Sequence, residues 1–313
     1  MSPATASTSP HFSRGVMASI GASVLFGVLA FYSDLLASFL GGWEIFGWRL
    51  LLTFPALTAA MVLSGRWPRI VRFVTTLTHS WWRIPVLVIN AALLTAQMVL
   101  FTWAPGAGRT AELSLGYFLM PLVMIVIGRV GFRESITRGQ GVATGLAALG
   151  VGYEIVRSGG LGWVTLVVAI GYPAYFVLRR LASMASSSAL WAEMGLMVPL
   201  SIIIVGNPGS LSAVASWQAV AFIGGLGVLS AGAMAIYTGA QIWLPFALFG
   251  LLSYLEPVLL VIVAFTLLGE SIEPAELPTY GLIWLAVAVL AIEASMRIVR
   301  RRRRHQLWWP DES

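Results

Sequence analysis

The chain contains no cysteine and no lysine, and it has few charged residues of either sign. Without cysteine it can form neither a disulfide framework nor a thiolate metal site. The three histidines are His11, His79 and His305, all outside the long apolar runs. A histidine-built metal centre within those runs is therefore not expected, and nothing in the sequence implies a cofactor.

What the chain has in abundance is apolar side chains. Hydrophobic residues make up 58% of its 313 residues and charged residues 10%, and the mean hydropathy is +0.86. A soluble domain has roughly 25% charged residues. No polar stretch is long enough to form a separate soluble domain. The composition therefore predicts an all-α integral membrane protein.

Ten apolar runs are long enough to be membrane helices, because a helix needs ~20 mostly apolar residues to cross the hydrocarbon core. The segment before the first run, 1–14, is polar and is expected to be a tail rather than a cleaved signal peptide. The predicted spans are 15–33, 43–63, 84–103, 112–130, 139–156, 162–180, 189–206, 218–237, 245–267 and 278–296.

The arginines predict the orientation of these spans. Cytoplasmic loops retain positive charge, and 16 of the 19 arginines fall in tails and alternate loops that share one side if the N-terminus is cytoplasmic. Arg109 and Arg157 fall on the other side, and Arg49 lies within a span. Both termini are therefore expected in the cytoplasm.

The C-terminal segment 297–313 contains a run of arginines directly after the last predicted span. Basic runs of this kind also occur in nucleic-acid-binding proteins. Because this run adjoins a membrane helix, we expect it to contact anionic lipids of the inner leaflet instead.

Two segments of the chain resemble each other. PLVMIVIGRVGFRESI starts at Pro121 and PVLLVIVAFTLLGESI starts at Pro257, and both reach Glu-Ser-Ile at the same spacing, with glycines Gly145 and Gly281 also in register. The copies lie on the fourth and ninth predicted spans, five spans apart, so they cross the membrane in opposite directions. This predicts two inverted five-helix repeats, residues 15–156 and 162–296, an arrangement typical of transporters.

Several stretches are similar to one known family. They are WEIFGWRLL (43–51), AELSLGYFLMPLV (111–123), GYPAYFVLRR (171–180), WAEMGLMVP (191–199) and EPVLLVIVAFTLLGESI (256–272). They resemble the RarD branch of the EamA-type drug/metabolite transporters, in order and over nearly the whole chain. The resemblance implies a ten-span inner-membrane carrier with two EamA repeats, and the family's usual label is a chloramphenicol-resistance permease.

The chain departs from the family pattern at two places. The first repeat of the family usually ends in Leu-Gly-Glu-Arg, and here the residues are Phe132, Arg133, Glu134 and Ser135. Where the family has a histidine just before the arginine of the second span, this chain has Trp48.

The ninth predicted span has a carboxylate, Glu256, next to a proline, Pro257, near its middle. The proline removes one backbone hydrogen bond and crowds the carbonyl one turn earlier, which predicts a kink and a local polar niche. Glu256 is then either a coordination point for substrate or protons, or a strut between helices; we favour the first. Pro121 predicts a similar kink in the fourth span, where Met120 takes the place of Glu256.

A second intramembrane charge is Arg49, in the second predicted span. Glu44 lies five positions earlier and about 140° around the helix, so the two do not share a face. By depth, Glu112 at the start of the fourth span is the expected partner. Arg49 and Glu112 would form either a structural pair or an outer gate.

Other polar residues within spans are candidates for the lining of a transport path. An ionisable or polar side chain inside a membrane is costly and usually faces a cavity or a partner. Glu193 is a candidate with a structural alternative, since it lies near a span end. The neutral candidates are Gln97 and the deep tyrosines Tyr117, Tyr172, Tyr175 and Tyr254, each of which could instead pack between helices.

These features together predict a secondary carrier for small organic metabolites or drugs that works by alternating access. No nucleotide-binding motif is present, so we expect an ion gradient, in the first place protons, to drive it. A facilitator or channel is the alternative, and a membrane-embedded enzyme would need a nucleophile, base or metal cluster that the sequence lacks. The expected partners are a small-molecule substrate and the bilayer, with a homodimer as an open alternative.

Overall fold

The computed structural model describes residues 11–214, 216–259, 262 and 274–308. Every regular element in these ranges is a helix. In chain order the helices are α1 (His11–Ala37), α2 (Gly42–Leu63), α3 (Trp67–His79), α4 (Arg83–Gly106), α5 (Thr110–Val126), α6 (Arg138–Arg157), α7 (Trp163–Leu181), α8 (Ser187–Val205), α9 (Pro208–Ala213), α10 (Trp217–Trp243), α11 (Phe246–Leu252) and α12 (Leu277–Trp308).

Seven helices in the described part of the chain are long and apolar enough to cross a membrane. They are α1, α2, α4, α5 with its continuation to Gly131, α7, α8 and α10, and each coincides with a predicted span. The protein is therefore an integral membrane protein, and the part of it that the structure describes is all-helical.

Described helices also lie within the other three predicted spans. Helix α6 has 20 residues, but its glycines and polar side chains lower its hydropathy. The apolar parts of the remaining two are shorter, Phe246–Leu259 and Leu277–Glu293. Most of the second repeat segment, including Glu270, lies outside the described residues.

The short helices α3 and α9 were not predicted from the sequence. Helix α3 connects α2 to α4, and α9 connects α8 to α10. In α3, Ile70 is buried and Phe73 and Leu77 pack on neighbouring residues, whereas Arg69 and Arg72 are exposed. Helix α3 is thus amphipathic, which the span-length criterion cannot detect because the helix is short.

The long helices pack in recurring pairs. Helix α1 packs on α10 and α4 on α7, α2 packs on both α8 and α10, and α6 packs on α12. At the α2–α10 contact, a Cβ at Gly227 would lie only 2.4 Å from the Cβ of Leu52. A glycine is required there because the two backbones approach closely.

The end of α5 is irregular. The helix passes through Pro121 without a break and continues as a five-residue π-helix, Ile127–Gly131. Arg133 then has a φ of +53°, a left-handed conformation that is uncommon for a residue with a side chain. The amide of Glu134 donates to the carbonyl of Gly128 at 2.9 Å and closes the turn.

We expect Arg133→Gly to stabilise the protein by up to about 1 kcal/mol. The left-handed conformation costs an L-residue roughly 1–2 kcal/mol, and glycine removes that cost. The larger conformational entropy of glycine in the unfolded state offsets about half of this stabilisation. The Arg133 side chain is exposed, so its loss removes little packing. Thermal unfolding in detergent micelles measures the effect, and a lower midpoint than that of the parent would contradict the expectation.

Candidate functional site

A narrow cavity lies inside the bundle, between residues of α1, α4, α5, α7, α8, α10 and the segment after α11. Its polar lining comprises Tyr117, Tyr172, Tyr175, Tyr237, Thr238, Gln241 and Glu256. The remaining lining is apolar, and includes Phe26, Met120 and Phe176. About 20 Å³ is open to the centres of water molecules, which is room for about one or two waters. An organic solute can enter only if the helices move apart.

Glu256 reaches this cavity because the backbone is interrupted just before it. Helix α11 ends at Leu252, Ser253 and Tyr254 form a turn, and helical backbone resumes at 255–259. Pro257 cannot donate to the carbonyl of Ser253, and the amide of Glu256 donates to that carbonyl instead, at 3.2 Å. The break thus lies about one turn before the proline, as expected from the crowded carbonyl.

The Glu256 carboxylate has an unusual environment for a charged group. Its residue is only 9% exposed, yet no side chain or amide of the described residues forms a hydrogen bond with the carboxylate. It interacts electrostatically with Arg49. A buried carboxylate without hydrogen-bond donors is costly, so its retention here points to a purpose other than packing.

Arg49 is buried, with 3% of its surface exposed. Its Nε donates to Ser230 Oγ on α10 at 2.9 Å, and its guanidinium carbon lies 5.7 Å from the ring centroid of Phe101. It also interacts electrostatically with the carboxylate of Glu256. Arg49 therefore provides positive charge next to the cavity.

The expected pairing of Arg49 with Glu112 is not formed. Glu112 accepts a hydrogen bond from Arg109 at 2.7 Å and one from the amide of Val164 at 3.3 Å, at the start of α7. Arg109 lies three residues before Glu112 on the chain, so it reaches the carboxylate at little entropic cost. The free amides at the start of α7 favour the same negative charge.

Tyr117 on α5 and Tyr172 on α7 both line the cavity and pack against each other. Their ring centroids are 6.2 Å apart. The ring of Phe176 stacks on Tyr172 at 5.9 Å, so the two tyrosines are held by aromatic packing while their hydroxyls stay available. Tyr117 and Tyr172 were predicted as lining residues, and both line the cavity.

Glu193 is not at an accessible helix end but wholly buried behind Tyr175. Its Oε2 accepts from Arg179 at 2.6 Å and from the Tyr175 hydroxyl at 2.8 Å. Arg179 also donates to the Ser186 carbonyl at 2.8 Å. Both side chains of the ion pair are 0% exposed, because α7 and α8 close over the polar groups at this point.

Gln97 and Tyr254 lie in helix contacts rather than on the cavity lining. The amide of Gln97 donates to the Val167 carbonyl on α7 at 2.9 Å. The hydroxyl of Tyr254 donates to the Phe118 carbonyl on α5 at 2.9 Å. Each satisfies a backbone carbonyl on the neighbouring helix, which is the packing alternative stated for both residues.

Sequence reasoning missed Tyr237, Thr238 and Gln241, which line the cavity from α10. The eighth span was predicted to end at 237, so these residues were placed at or beyond its end. Helix α10 continues to Trp243. The apolar run through Ile242 and Trp243 was the signal that could have extended the span.

The site therefore offers a small set of chemical functions. A carboxylate can take up or release a proton, phenols and an amide can hydrogen bond to a polar solute, and aromatic rings can pack on its apolar part. The Nε2 of Gln241 has no acceptor among the described residues, so a donor is free on this wall. This combination of few polar groups in an aromatic lining is typical of small-molecule binding sites.

No protein-family model matches the chain, but individual proteins do. It is 37% identical over 296 residues to the chloramphenicol-sensitive protein RarD of Pseudomonas aeruginosa, and the aligned region covers 93% of this chain and 97% of that protein. An uncharacterized transporter of Pasteurella multocida is 33% identical over 92% of this chain and 99% of its own length. Protein RarD of Salmonella typhimurium is 26% identical over 90% of this chain.

A solved crystal structure has a similar fold. It superposes with a TM-score of 0.63 over 91% of this chain and 98% of its own, at 20% sequence identity. That likeness concerns the fold alone. The identity and coverage of the named relatives, together with the apolar helices, show that this multi-pass protein of the bacterial inner membrane belongs to the RarD family of transporters.

Proposed function

We propose that the protein is a secondary carrier for small organic metabolites or drugs, driven by protons that bind at Glu256. The observation that carries the proposal is a buried carboxylate facing a cavity without a hydrogen-bond donor among the described residues. A group in that position can bind a proton or a polar solute without first breaking a structural contact. An ion-paired strut could not do so.

The surroundings of Glu256 suit two charge states. When the carboxylate is ionised, Arg49 balances its charge across the cavity wall. When it binds a proton, Arg49 keeps its hydrogen bond to Ser230 and its contact with Phe101. The nearby fixed cation thus lowers the free-energy cost of ionising the buried carboxylate. A coupling site needs such a low cost if it is to bind and release a proton in each cycle.

The helix packing supports alternating access between two inverted halves. Suppose that the two halves correspond helix by helix: α1 to α7, α2 to α8, α4 to α10, α5 to α11 with 255–259, and α6 to α12. Swapping each helix for its counterpart then turns each of the following helix contacts into an observed contact. The α1–α10 contact exchanges with α7–α4, and α2–α10 exchanges with α8–α4, whereas α2–α8 and α6–α12 exchange with themselves. The short helices α3 and α9 occupy corresponding connections. A two-fold relation of this kind allows one site to face either side in turn.

Ten spans with cytoplasmic termini and the repeats 15–156 and 162–296 form part of this proposal. The arginine distribution supports that orientation. The Arg-rich end of the bundle, where α5 and α7 end and which carries Arg129, Arg133, Arg138 and Arg180, then faces the cytoplasm, next to anionic lipid. The cavity opens to that end in one conformation and to the opposite end in the other.

Because one relative is named for chloramphenicol, this drug is the first substrate to test, followed by amino acids and nucleosides. The purified protein is reconstituted into liposomes, and uptake of each compound is measured with and without a pH gradient of one unit. One proton per solute would store about 1.4 kcal/mol, enough for about tenfold accumulation. We expect saturable uptake that rises with the gradient for at least one compound.

Two outcomes would contradict the proposal. Uptake that increases linearly with concentration and ignores the gradient would indicate a channel or facilitator. Chemical conversion of a test compound would indicate an enzyme. Empty liposomes provide the background for both measurements.

A further inference from the structure

We propose that Glu134 is a positioning residue that keeps the cavity closed at the Arg-rich end of the bundle. The inference rests on the proposed function, because it assigns a closing contact to the same alternating-access path. Glu134 belongs to the Glu-Ser-Ile motif of the first repeat and lies on none of the cavity walls. Its role is argued from contacts that join three separate segments.

The Glu134 carboxylate holds the start of α11. Its Oε1 accepts from the amide of Phe246 at 3.0 Å, and its Oε2 accepts from the amide of Ala247 at 2.9 Å. These two amides have no partner within α11, since the first amides of any helix lack one. A carboxylate there forms charge-assisted hydrogen bonds, which are about twice as strong as neutral ones.

The same carboxylate also binds the end of α7. Arg180 donates to Oε1 at 2.7 Å, and its guanidinium carbon lies 4.0 Å from the ring centroid of Phe132. The rings of Phe132 and Phe246 are 5.2 Å apart. The side chain of Glu134 is 12% exposed and that of Arg180 is 42% exposed, so the carboxylate is largely shielded from water while the arginine stays partly open to it.

Helix α11 transmits this contact to the cavity. Phe249, one turn after the capped amides, packs on Phe176 at 5.1 Å and on Tyr237 at 4.9 Å. Both rings line the cavity, and α11 leads directly to the break before Glu256. Releasing the start of α11 would therefore loosen the cavity wall from the Arg-rich end.

The local backbone is consistent with a segment that moves. The π-helix and the left-handed Arg133 both lie within seven residues before Glu134. Short π-helices are often found at functional sites, and a strained backbone conformation persists only where surrounding contacts hold it. In this segment the hydrogen bonds of Glu134, together with the ring contacts of Phe132, hold the chain to α7 and α11.

The experiment uses the absence of cysteine. A single Gln241→Cys substitution places a thiol on the cavity lining, and its reaction with a membrane-impermeant thiol reagent is timed in inside-out and right-side-out vesicles. We expect Glu134→Gln to speed labelling about tenfold from the side that carries the Arg-rich end, because an amide replaces the charged acceptor. Labelling from the opposite side should not rise.

Glu112→Gln is the matched control. Glu112 also binds an arginine and the start of a helix, α7, but at the opposite end of the bundle. It should leave labelling from the Arg-rich side unchanged. Arg180→Gln removes one of the contacts and should give a smaller increase, roughly threefold.

Equal labelling rates in the Glu134→Gln and parent proteins, or an equal rise from both sides, would overturn the proposal. Should Glu134→Gln fail to fold, the absence of any increase in Arg180→Gln would overturn it as well. The measurement needs neither a substrate nor a gradient. Failure of the proposed transport function would therefore leave the labelling result intact, and the reverse also holds.

Discussion

Glu193→Leu and Arg179→Met are each expected to lower the free energy of unfolding by about 3–5 kcal/mol. The ion pair is 0% exposed on both sides, and within the described part of the chain each member has one counter-charge in contact. Removing one charge leaves the other buried and uncompensated, which costs more than the lost hydrogen bonds alone. Unfolding of the protein in detergent micelles by added denaturant measures the loss of stability.

The double variant Arg179→Met with Glu193→Leu separates charge from packing. Replacing a buried ion pair by apolar side chains of similar volume is often neutral or stabilising. We therefore expect the double variant to recover to within about 1 kcal/mol of the parent. Losses that simply add would show that the two side chains act independently, against the 2.6 Å contact between them.

Glu256→Gln is expected to abolish the dependence of uptake on the pH gradient. Glutamine has nearly the same size and can still hydrogen bond to a solute, but it cannot carry a proton. With a one-unit gradient, accumulation should fall from about tenfold to the level reached without a gradient. Exchange of labelled for unlabelled solute at equal pH on both sides should continue, because it requires binding and alternation but no net proton movement.

The control for this variant is Glu44→Gln. Glu44 lies at the start of α2, outside the cavity lining, and accepts from the amide of Gly41 at 2.9 Å. It should retain the full response to the gradient. If Glu256→Gln responded to the gradient like the parent, Glu256 would be structural and the protons would bind elsewhere.

The positions of the long helices could be predicted from the sequence, since a membrane helix forms all its backbone hydrogen bonds within one segment. The span length and the apolar run suffice for that, and seven spans were found in this way. The same rule cut α10 short by six residues, and Tyr237 was lost from the candidate lining. The rule also missed α3, because an amphipathic helix of 13 residues does not need to span anything.

The side-chain partners could not be predicted in the same way. Depth in the membrane suggested Glu112 for Arg49, but depth says nothing about rotation of a helix about its axis. In the structure Arg49 faces Ser230, whereas Glu112 faces Arg109 and the start of α7. A difference of one residue turns a side chain by about 100°, so a pairing based on depth alone is weakly determined.

By itself the sequence determined the membrane class, the helix positions, the break next to Glu256-Pro257 and the family resemblance, because each depends on local composition or on ordered motifs. The tertiary structure alone decided which tyrosines share a cavity with Glu256, that Glu193 pairs with Arg179, and that Glu134 joins α7 to α11. Those contacts connect residues far apart in the chain or on different helices, and they depend on how the helices rotate and pack. Their energies come from burial and charge in three dimensions, which no single segment contains.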